Sequence, residues 1–297
     1  MKIQHDFAGV IEAATKTHLR PTDFPTVIPD IPHVHYQEAS ETGFRALWVV
    51  CVLMGLSSVA FYIMAARVPV QKRLFHVITA SITTIAFLSY FAMATGDGLS
   101  WHSTVVKTTK SGVVEDIVKR QVFWARYVDW ALTTPLLLLD LTLMAGLNGA
   151  DILVTVGADV IMVLTGLFAA FGSTGTQVWG WYTIACVAYI AIVYNVAFNG
   201  RRAVQGKDSK TKAFYGGISL FTLLLWTAYP IVWGIADGSR KIGVDGEILA
   251  YAVLDVLAKP VFGFWLLLTH DAMARTSPNA PSWFTQGLAS DGAIRVS

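Results

Sequence analysis

The chain has 297 residues, of which 54% are hydrophobic and only 14% are charged. Ordinary soluble domains carry about 25% charged residues, so this composition excludes a water-soluble globule and also a largely disordered chain. The formal net charge of +2 and the lack of a run of Lys and Arg give no basis for nucleic-acid binding. The two cysteines lie inside apolar stretches, which predicts neither a disulfide framework nor a metal site.

The first 42 residues are polar and contain four prolines, which predicts an N-terminal tail with a short amphipathic helix near residues 7–14. An apolar segment of about 7–15 residues, the mark of a secretory signal peptide, does not follow the start. We therefore expect no cleaved signal peptide.

Seven apolar runs of about 20 residues follow, and a helix of that length crosses a bilayer core of about 30 Å. They cover residues 46–66, 74–95, 122–145, 152–171, 179–198, 214–236 and 248–269. The long connection between the second and third runs predicts two short strands, 103–109 and 113–117, around a turn at 110–112. The predicted fold class is an all-α membrane protein, a bundle of seven transmembrane helices with one short β-hairpin.

An odd number of spans puts the two termini on opposite sides of the membrane. The positive-inside rule gives only a weak preference for the orientation, because ten Lys and Arg residues outside the spans fall on each side of the membrane. Their densest short cluster lies at 201–212, which favours an extracellular tail at 1–42, a seven-helix domain at 43–271 and a cytoplasmic tail at 272–297.

Charged side chains inside the spans cost about 2.5–3.5 kcal/mol each at mid-helix, so they are candidate functional groups by default. Setting His76 aside, the chain has six: Arg126, Asp129, Asp140, Asp159, Asp255 and Lys259. Asp255 and Lys259 are four residues apart and share one helix face. They are either a structural ion pair or a reactive site, because a lysine in an apolar pocket can condense with an aldehyde. A protonated imine formed there would need a counter-ion, which Asp255 supplies.

The third span carries two carboxylates on one face. Asp129 and Asp140 are separated by three turns plus about 20°, and lie about 16 Å apart along the helix axis. Four leucines at 136–139 lie between them. The two carboxylates could simply line a polar seam between helices. However, a dry gap between two carboxylates is what a gated proton path requires. Thr133 lies one turn from Asp129 on the same side, and Arg126 lies one turn in the other direction.

Aromatic residues on the sixth span also share a face. Trp226, Tyr229 and Trp233 follow the spacing i, i+3 and i+7. Such a stripe is usually core packing. A flat conjugated ligand would use the same faces, with Trp130 on the third span as another wall.

Four segments resemble the signatures of microbial (type I) rhodopsins such as bacteriorhodopsin. They are RYVDWALTTP at 126–135, VGAD at 156–159, WTAYP at 226–230 and LDVLAK at 254–259. The similarity extends in order over about 43–271, and LFHVIT at 74–79 resembles the fungal branch.

The resemblance implies that Lys259 bears all-trans retinal as a protonated Schiff base. It also implies that Asp129 and Asp255 are the counter-ions, with Asp129 as the primary proton acceptor, and that Asp140 is the cytoplasmic donor. Further roles follow for residues around them. Arg126 would stabilise the ionised cluster, Thr133 completes the proton-pumping pattern, Thr79 would bond Asp140, and Tyr90 and Tyr229 would bond Asp255.

The remaining implied residues lie toward the two ends of the ligand site. Asp159, paired with Thr134, would be a neutral residue near the ring end of the chromophore, and Glu247 and Asp237 match the extracellular release region. The implied ligand walls are Trp130, Gly166, either Trp181 or Tyr182, Trp226, Tyr229 and Trp233. One departure from the family pattern is Pro260, which predicts an irregular seventh helix beside Lys259.

The resemblance implies a light-driven outward proton pump, an ion transporter and photoreceptor rather than an enzyme. Membrane lipid and protons are the implied partners, the plasma membrane is the implied location, and homo-oligomeric assembly stays open. A slow-cycling retinal photosensor with little or no net transport is the leading alternative. A seven-helix hormone-type receptor does not explain Asp140, and a retinal-free relative does not explain Lys259.

Overall fold

The structure is a computed structural model that describes residues 33–108 and 114–274. The predicted N-terminal helix near 7–14, the predicted turn at 110–112 and most of the predicted C-terminal tail lie outside these residues. Within them, seven helices are long and apolar enough to cross a membrane, which confirms the predicted fold class.

The seven spans agree with the apolar runs in number and order. They comprise Glu41–Ala66, Leu74–Thr95, Trp124–Ala145, Gly149–Ala170, Gly175–Tyr194, Ser209–Trp233, and a seventh built from Val244–Val256 and Phe262–Ala274. The fifth continues through a π-helical turn, Asn195–Asn199, into Gly200–Ala203. Large apolar side chains such as Leu56, Leu153 and Ile190 face outward, where lipid would cover them.

Five spans begin several residues before their apolar runs, and in four of them a polar side chain caps the helix outside the apolar segment. The caps are Ser40, Asn148, Thr174 and Asp208, each accepting a hydrogen bond from a backbone N–H of the first turn. Hydrophobicity marks the part of a helix that lipid can cover, whereas the capping residue marks where the helix starts.

The connection between the second and third spans forms a larger sheet than the predicted hairpin. Strands β2, Ser100–Thr108, and β3, Val114–Val122, pair antiparallel and extend beyond the predicted segments. A third strand, β1, His33–Gln37, pairs parallel with β3 although its residues were predicted to be tail. Its partner lies about 80 residues away, and a five-residue strand with such a distant partner leaves no local signature. We call this end of the bundle the sheet end.

The seventh span is irregular beside Lys259, as Pro260 predicts. A π-helical turn, Leu257–Val261, replaces regular α-helix there. Proline has no N–H to donate and its ring clashes with the carbonyl four residues earlier, so the backbone widens locally.

Gly263 lets the seventh span approach its neighbours closely. A Cβ at this position would lie 2.5 Å from Cγ2 of Thr79 and 2.8 Å from Cζ of Phe61. We expect Gly263→Ala to destabilise the protein by about 1–3 kcal/mol, as overpacking does, and to lower its thermal unfolding temperature in detergent. The control is Gly216→Ala, where a Cβ would meet nothing within 4 Å. Equal unfolding temperatures for the two variants would contradict the close packing.

Candidate functional site

Lys259 is the centre of a buried charged group in the middle of the bundle. Its Nζ lies 2.6 Å from Oδ2 of Asp129 on the third span and 3.2 Å from Oδ1 of Asp255 one turn earlier on its own span. None of the three side chains is more than 1% exposed. One buried cation thus faces two carboxylates, and the two Asp residues carry the excess negative charge.

The two carboxylates have different surroundings. Asp255 accepts hydrogen bonds from the hydroxyls of Tyr90 and Tyr229, each at 2.7 Å, and from Nε1 of Trp130 at 3.4 Å. Asp129 has Lys259 on Oδ2, and its Oδ1 has no hydrogen-bond partner among the described residues. Asp255 is thus surrounded by hydrogen-bond donors, whereas Asp129 has one oxygen without a partner among the described residues.

Thr133 supports the backbone beneath this group. Its hydroxyl donates to the carbonyl of Asp129 at 2.8 Å, one helical turn away. The contact is with the main chain, so Thr133 orients the turn that carries the carboxylate.

A largely aromatic cavity adjoins Lys259 and Asp255. Its ring-bearing walls are Tyr127, Trp130, Tyr182, Tyr189, Trp226, Tyr229, Trp233 and Tyr251, and Gly166 lies among its smaller residues. A Cβ on Gly166 would have only the Tyr127 ring within 4 Å. A primary amine beside a slot of flat rings fits retinal, because the amine can bind an aldehyde carbon and the rings can flank a conjugated chain.

The structure separates the two candidates on the fifth span. Tyr182 lines the cavity, where its ring stacks on Trp233 at 4.9 Å and its hydroxyl donates to the carbonyl of Pro230 at 2.9 Å. Trp181 is 38% exposed, packs against Phe168 and is absent from the cavity lining. Of the two alternatives that the sequence left open, Tyr182 lines the cavity and Trp181 does not.

Asp159 and Thr134 form the pair that the sequence predicts. Oγ1 of Thr134 lies 2.6 Å from Oδ2 of Asp159 and 2.7 Å from the carbonyl of Trp130. One hydroxyl hydrogen makes one short, straight bond, so with both acceptors unprotonated it would have to divide between them. A protonated Asp159 that donates to Thr134 satisfies both contacts, which agrees with the neutral role expected for it.

Asp140 lies in a separate, drier region of the third span. Its side chain is fully buried, and its Oδ2 accepts a hydrogen bond from Oγ1 of Thr79 at 3.3 Å. Leu137, Leu138 and Leu141 around it on the helix are also buried and belong to one apolar cluster. Apolar surroundings with a single hydroxyl donor favour a protonated carboxyl group.

Arg126 makes its ion pair toward the sheet end rather than with the Lys259 group. Its Nη1 donates to Oε1 of Glu247, and its guanidinium lies 4.5 Å from the centre of the Tyr251 ring. Among the described residues Arg126 makes no direct contact with Asp129 or Asp255, so the stabilisation of that cluster implied by the resemblance would act through space.

Arg120 on β3 is a buried residue for which no role was predicted from the sequence. Its Nη2 donates to Oε2 of Glu247 at 2.6 Å, and its Nε donates to Oδ1 of Asp237 at 3.0 Å. Asp237 also accepts from the Tyr127 hydroxyl at 3.2 Å. Arg120, Arg126, Asp237 and Glu247 together form what we call the sheet-end charge cluster. Successive residues of a strand point to opposite faces of the sheet, so Lys119 and Arg120 on β3 are expected on opposite faces. This alternation was the only feature of the sequence that pointed to a buried Arg120.

Known proteins resemble this chain over most of its length. The profile of the family described as bacteriorhodopsin-like protein matches residues 44–273. Opsin-1 of Neurospora crassa is 52% identical over 288 residues, which cover 96% of this chain and 94% of that protein. Opsin-like protein carO of Fusarium fujikuroi is 37% identical, with coverage of 86% and 83%.

Two solved structures of light-driven proton pumps share the fold. The pump from Leptosphaeria maculans superposes with a TM-score of 0.78 at 56% identity, covering 82% of this chain and 100% of its own. The pump from Coccomyxa subellipsoidea superposes with a TM-score of 0.72 at 36% identity, covering 78% and 99%.

Proposed function

The chain belongs to the bacteriorhodopsin-like family, and we propose on that premise that it is a light-driven outward proton pump with retinal bound to Lys259. It is an integral multi-pass membrane protein and an ion transporter, not an enzyme. The observation that carries the proposal is the pairing of Lys259 with Asp129 and Asp255, together with a second buried carboxyl, Asp140, behind the leucines.

The residues around Lys259 divide the proton chemistry between them. Bound to Lys259 as a protonated Schiff base, retinal would supply light absorption and a light-driven isomerisation. Asp129 takes the proton, because its Oδ2 is the nearer carboxylate oxygen at 2.6 Å and its Oδ1 is without a partner among the described residues. Asp255 stays ionised, since two tyrosines and Trp130 donate to it.

Asp140 returns a proton to Nζ from the opposite side. Thr79 holds the carboxyl group in place, and the buried leucines between Asp140 and Asp129 keep water from linking the two acids. The direction of transport follows from this separation, because Asp129 faces the sheet end and Asp140 faces the other.

The cavity residues bind and orient the chromophore. Trp130, Trp226, Tyr229 and Trp233 flank its flat chain, while Tyr182 rather than Trp181 supplies the aromatic wall of the fifth span. The Asp159–Thr134 pair lies beside this slot as a neutral hydrogen-bonded unit.

The proposed placement is the plasma membrane with the sheet end outside. The domain at 43–271 then carries an extracellular N-terminal segment and a cytoplasmic C-terminal segment. The basic residues near 201–212 face the cytoplasm, in keeping with the positive-inside rule.

The direct test illuminates cells that express the protein with retinal and records the pH of the medium. Outward pumping acidifies the medium in the light, and a protonophore abolishes the change. A normal visible band without any acidification would leave a slow photosensor as the function.

Asp140→Asn tests the donor. Without a carboxylic acid there, Nζ must wait for a proton from water, so we expect recovery of the visible band after a flash to slow by about 10²–10⁴-fold. Recovery should become steeply pH-dependent, and azide should restore its speed as a diffusible donor. The control is Asp151→Asn at the start of the fourth span, outside the leucine cluster. Unchanged recovery in Asp140→Asn would remove the donor role.

A further inference from the structure

The sheet-end charge cluster is balanced in charge and closed in hydrogen bonding. Glu247 pairs one oxygen with Arg126 and the other with Arg120, while Asp237 pairs one with Arg120 and the other with the Tyr127 hydroxyl. Both arginines and both carboxylates are at most 5% exposed. Two guanidinium groups therefore face two carboxyl groups, and each carboxyl oxygen accepts from a donor of the protein.

Such an arrangement disfavours a proton held directly between the two acids. A direct carboxyl–carboxylate hydrogen bond needs an oxygen of one acid against an oxygen of the other, but Arg120 donates to both carboxyl groups. Its Nη1 also donates to Gln37 at 2.8 Å, so β1 fixes the orientation of the guanidinium.

The wider surroundings add positive charge. Burial opposes ionisation of Arg120, but the nearby carboxylates of Glu247 and Asp237 outweigh it and raise the pKa of Arg120 above its ordinary value. Burial, together with the charge of Arg120, lowers the pKa of Arg240, so these two cations share one electrostatic field. Three phenols also face the cluster: Tyr127 donates to Asp237, Tyr251 lies against the guanidinium of Arg126, and Tyr90 interacts electrostatically with Arg126.

We propose that Arg120 is a positioning residue that keeps Asp237 and Glu247 ionised throughout the cycle, so that proton release to the outside follows proton uptake from the inside. The inference rests on the proposed pump function and adds the order of its steps. It assigns the chain no proton store at the sheet end.

The proton balance explains the order. The proton lost by Nζ forms an O–H bond at Asp129, and both acids of the cluster already exist as paired anions, so nothing else can be expelled at this stage. Asp140 then gives its proton to Nζ and regains one from the inner side. Only when Nζ is positive again does Asp129 favour its ionised form, and its proton leaves toward the sheet end.

The test follows proton release and uptake after a flash, with one pH dye outside and another inside sealed vesicles that hold the retinal-loaded protein. For the wild type we expect uptake first and release second. Arg120→Gln leaves two acids with one arginine, so they can share a proton, and we expect release to move ahead of uptake.

The matched control is Arg240→Gln, which removes a positive charge from the same field but none of the contacts to the two acids. Its guanidinium donates to Thr104 at 2.6 Å, and we expect the wild-type order to persist. The double variant Arg120→Gln/Asp237→Asn restores the balance of one cation and one anion and should return release to second place. It also covers the case in which Arg120→Gln alone does not fold.

Infrared titration in the dark gives a readout independent of transport. When Asp237→Asn or Glu247→Gln is made in the wild-type background, the infrared band of protonated carboxylic acids should not change. Arg120→Gln should add a new band of this kind, and adding Asp237→Asn to Arg120→Gln should remove it. Wild-type release before uptake, or an unchanged order in a folded Arg120→Gln, overturns the role of Arg120. Wild-type vesicles without net transport overturn the pump function instead.

Discussion

Lys259→Ala is expected to yield a protein that forms no visible absorption band when all-trans retinal is added. The only buried amine of the described spans is then lost, and an imine cannot form beside the aromatic cavity. The loss should be complete rather than graded, because the other lysines that the structure describes lie outside the cavity lining. The measurement is the absorption spectrum after reconstitution, normalised to folded protein.

Two comparisons make that result interpretable. Lys241→Ala changes an exposed lysine and should keep the full band. Removing Lys259 also leaves Asp129 and Asp255 as unpaired buried charges, which lowers the free energy of unfolding by about 3–5 kcal/mol. The double variant Lys259→Ala/Asp129→Asn removes one of these charges and lacks the same amine. A visible band in either variant would exclude Lys259 as the attachment site.

Asp129→Asn is expected to move the visible band to longer wavelength and to abolish transport. A nearby anion stabilises the positive charge at Nζ in the ground state, and its removal narrows the excitation gap. The same change removes the group that receives the proton at 2.6 Å from Nζ. Acid should redden the wild-type spectrum for the same reason, as Asp129 becomes protonated.

Asp97→Asn is the control for that substitution, since Asp97 lies in the exposed turn after the second span. It should keep both the wild-type spectrum and transport. If Asp129→Asn leaves the spectrum where it was and still pumps, Asp129 is neither the counter-ion nor the acceptor.

Spacing predicted part of the central site, and the resemblance to microbial rhodopsins supplied the rest. The interval of four residues put Asp255 and Lys259 on one face, and Asp129 meets the same amine because a buried cation attracts the available carboxylates. Pro260 predicted the irregular backbone beside them, because the missing N–H is a covalent property of the residue. Charged residues inside apolar helices are easy to recognise in a sequence. Their partners can be predicted because few arrangements pair a buried charge.

The sheet end was less predictable, because its contacts join distant parts of the chain. Strand β1 pairs with residues about 80 positions later, and Arg120 reaches Asp237 and Glu247 more than 100 positions away. Neither contact follows from local periodicity. The choice between Trp181 and Tyr182 could not be predicted for a different reason. Adjacent residues on a helix point about 100° apart, and the packing of the bundle decides which of them faces inward.

The most direct test of the pump function is the photocurrent of a voltage-clamped cell that expresses the retinal-loaded protein, recorded at zero membrane potential with equal pH on both sides. A pump moves protons without any driving gradient, so we predict a sustained outward current throughout illumination that Asp129→Asn eliminates. A wild-type protein that absorbs visible light but gives no steady current under these conditions would contradict the account.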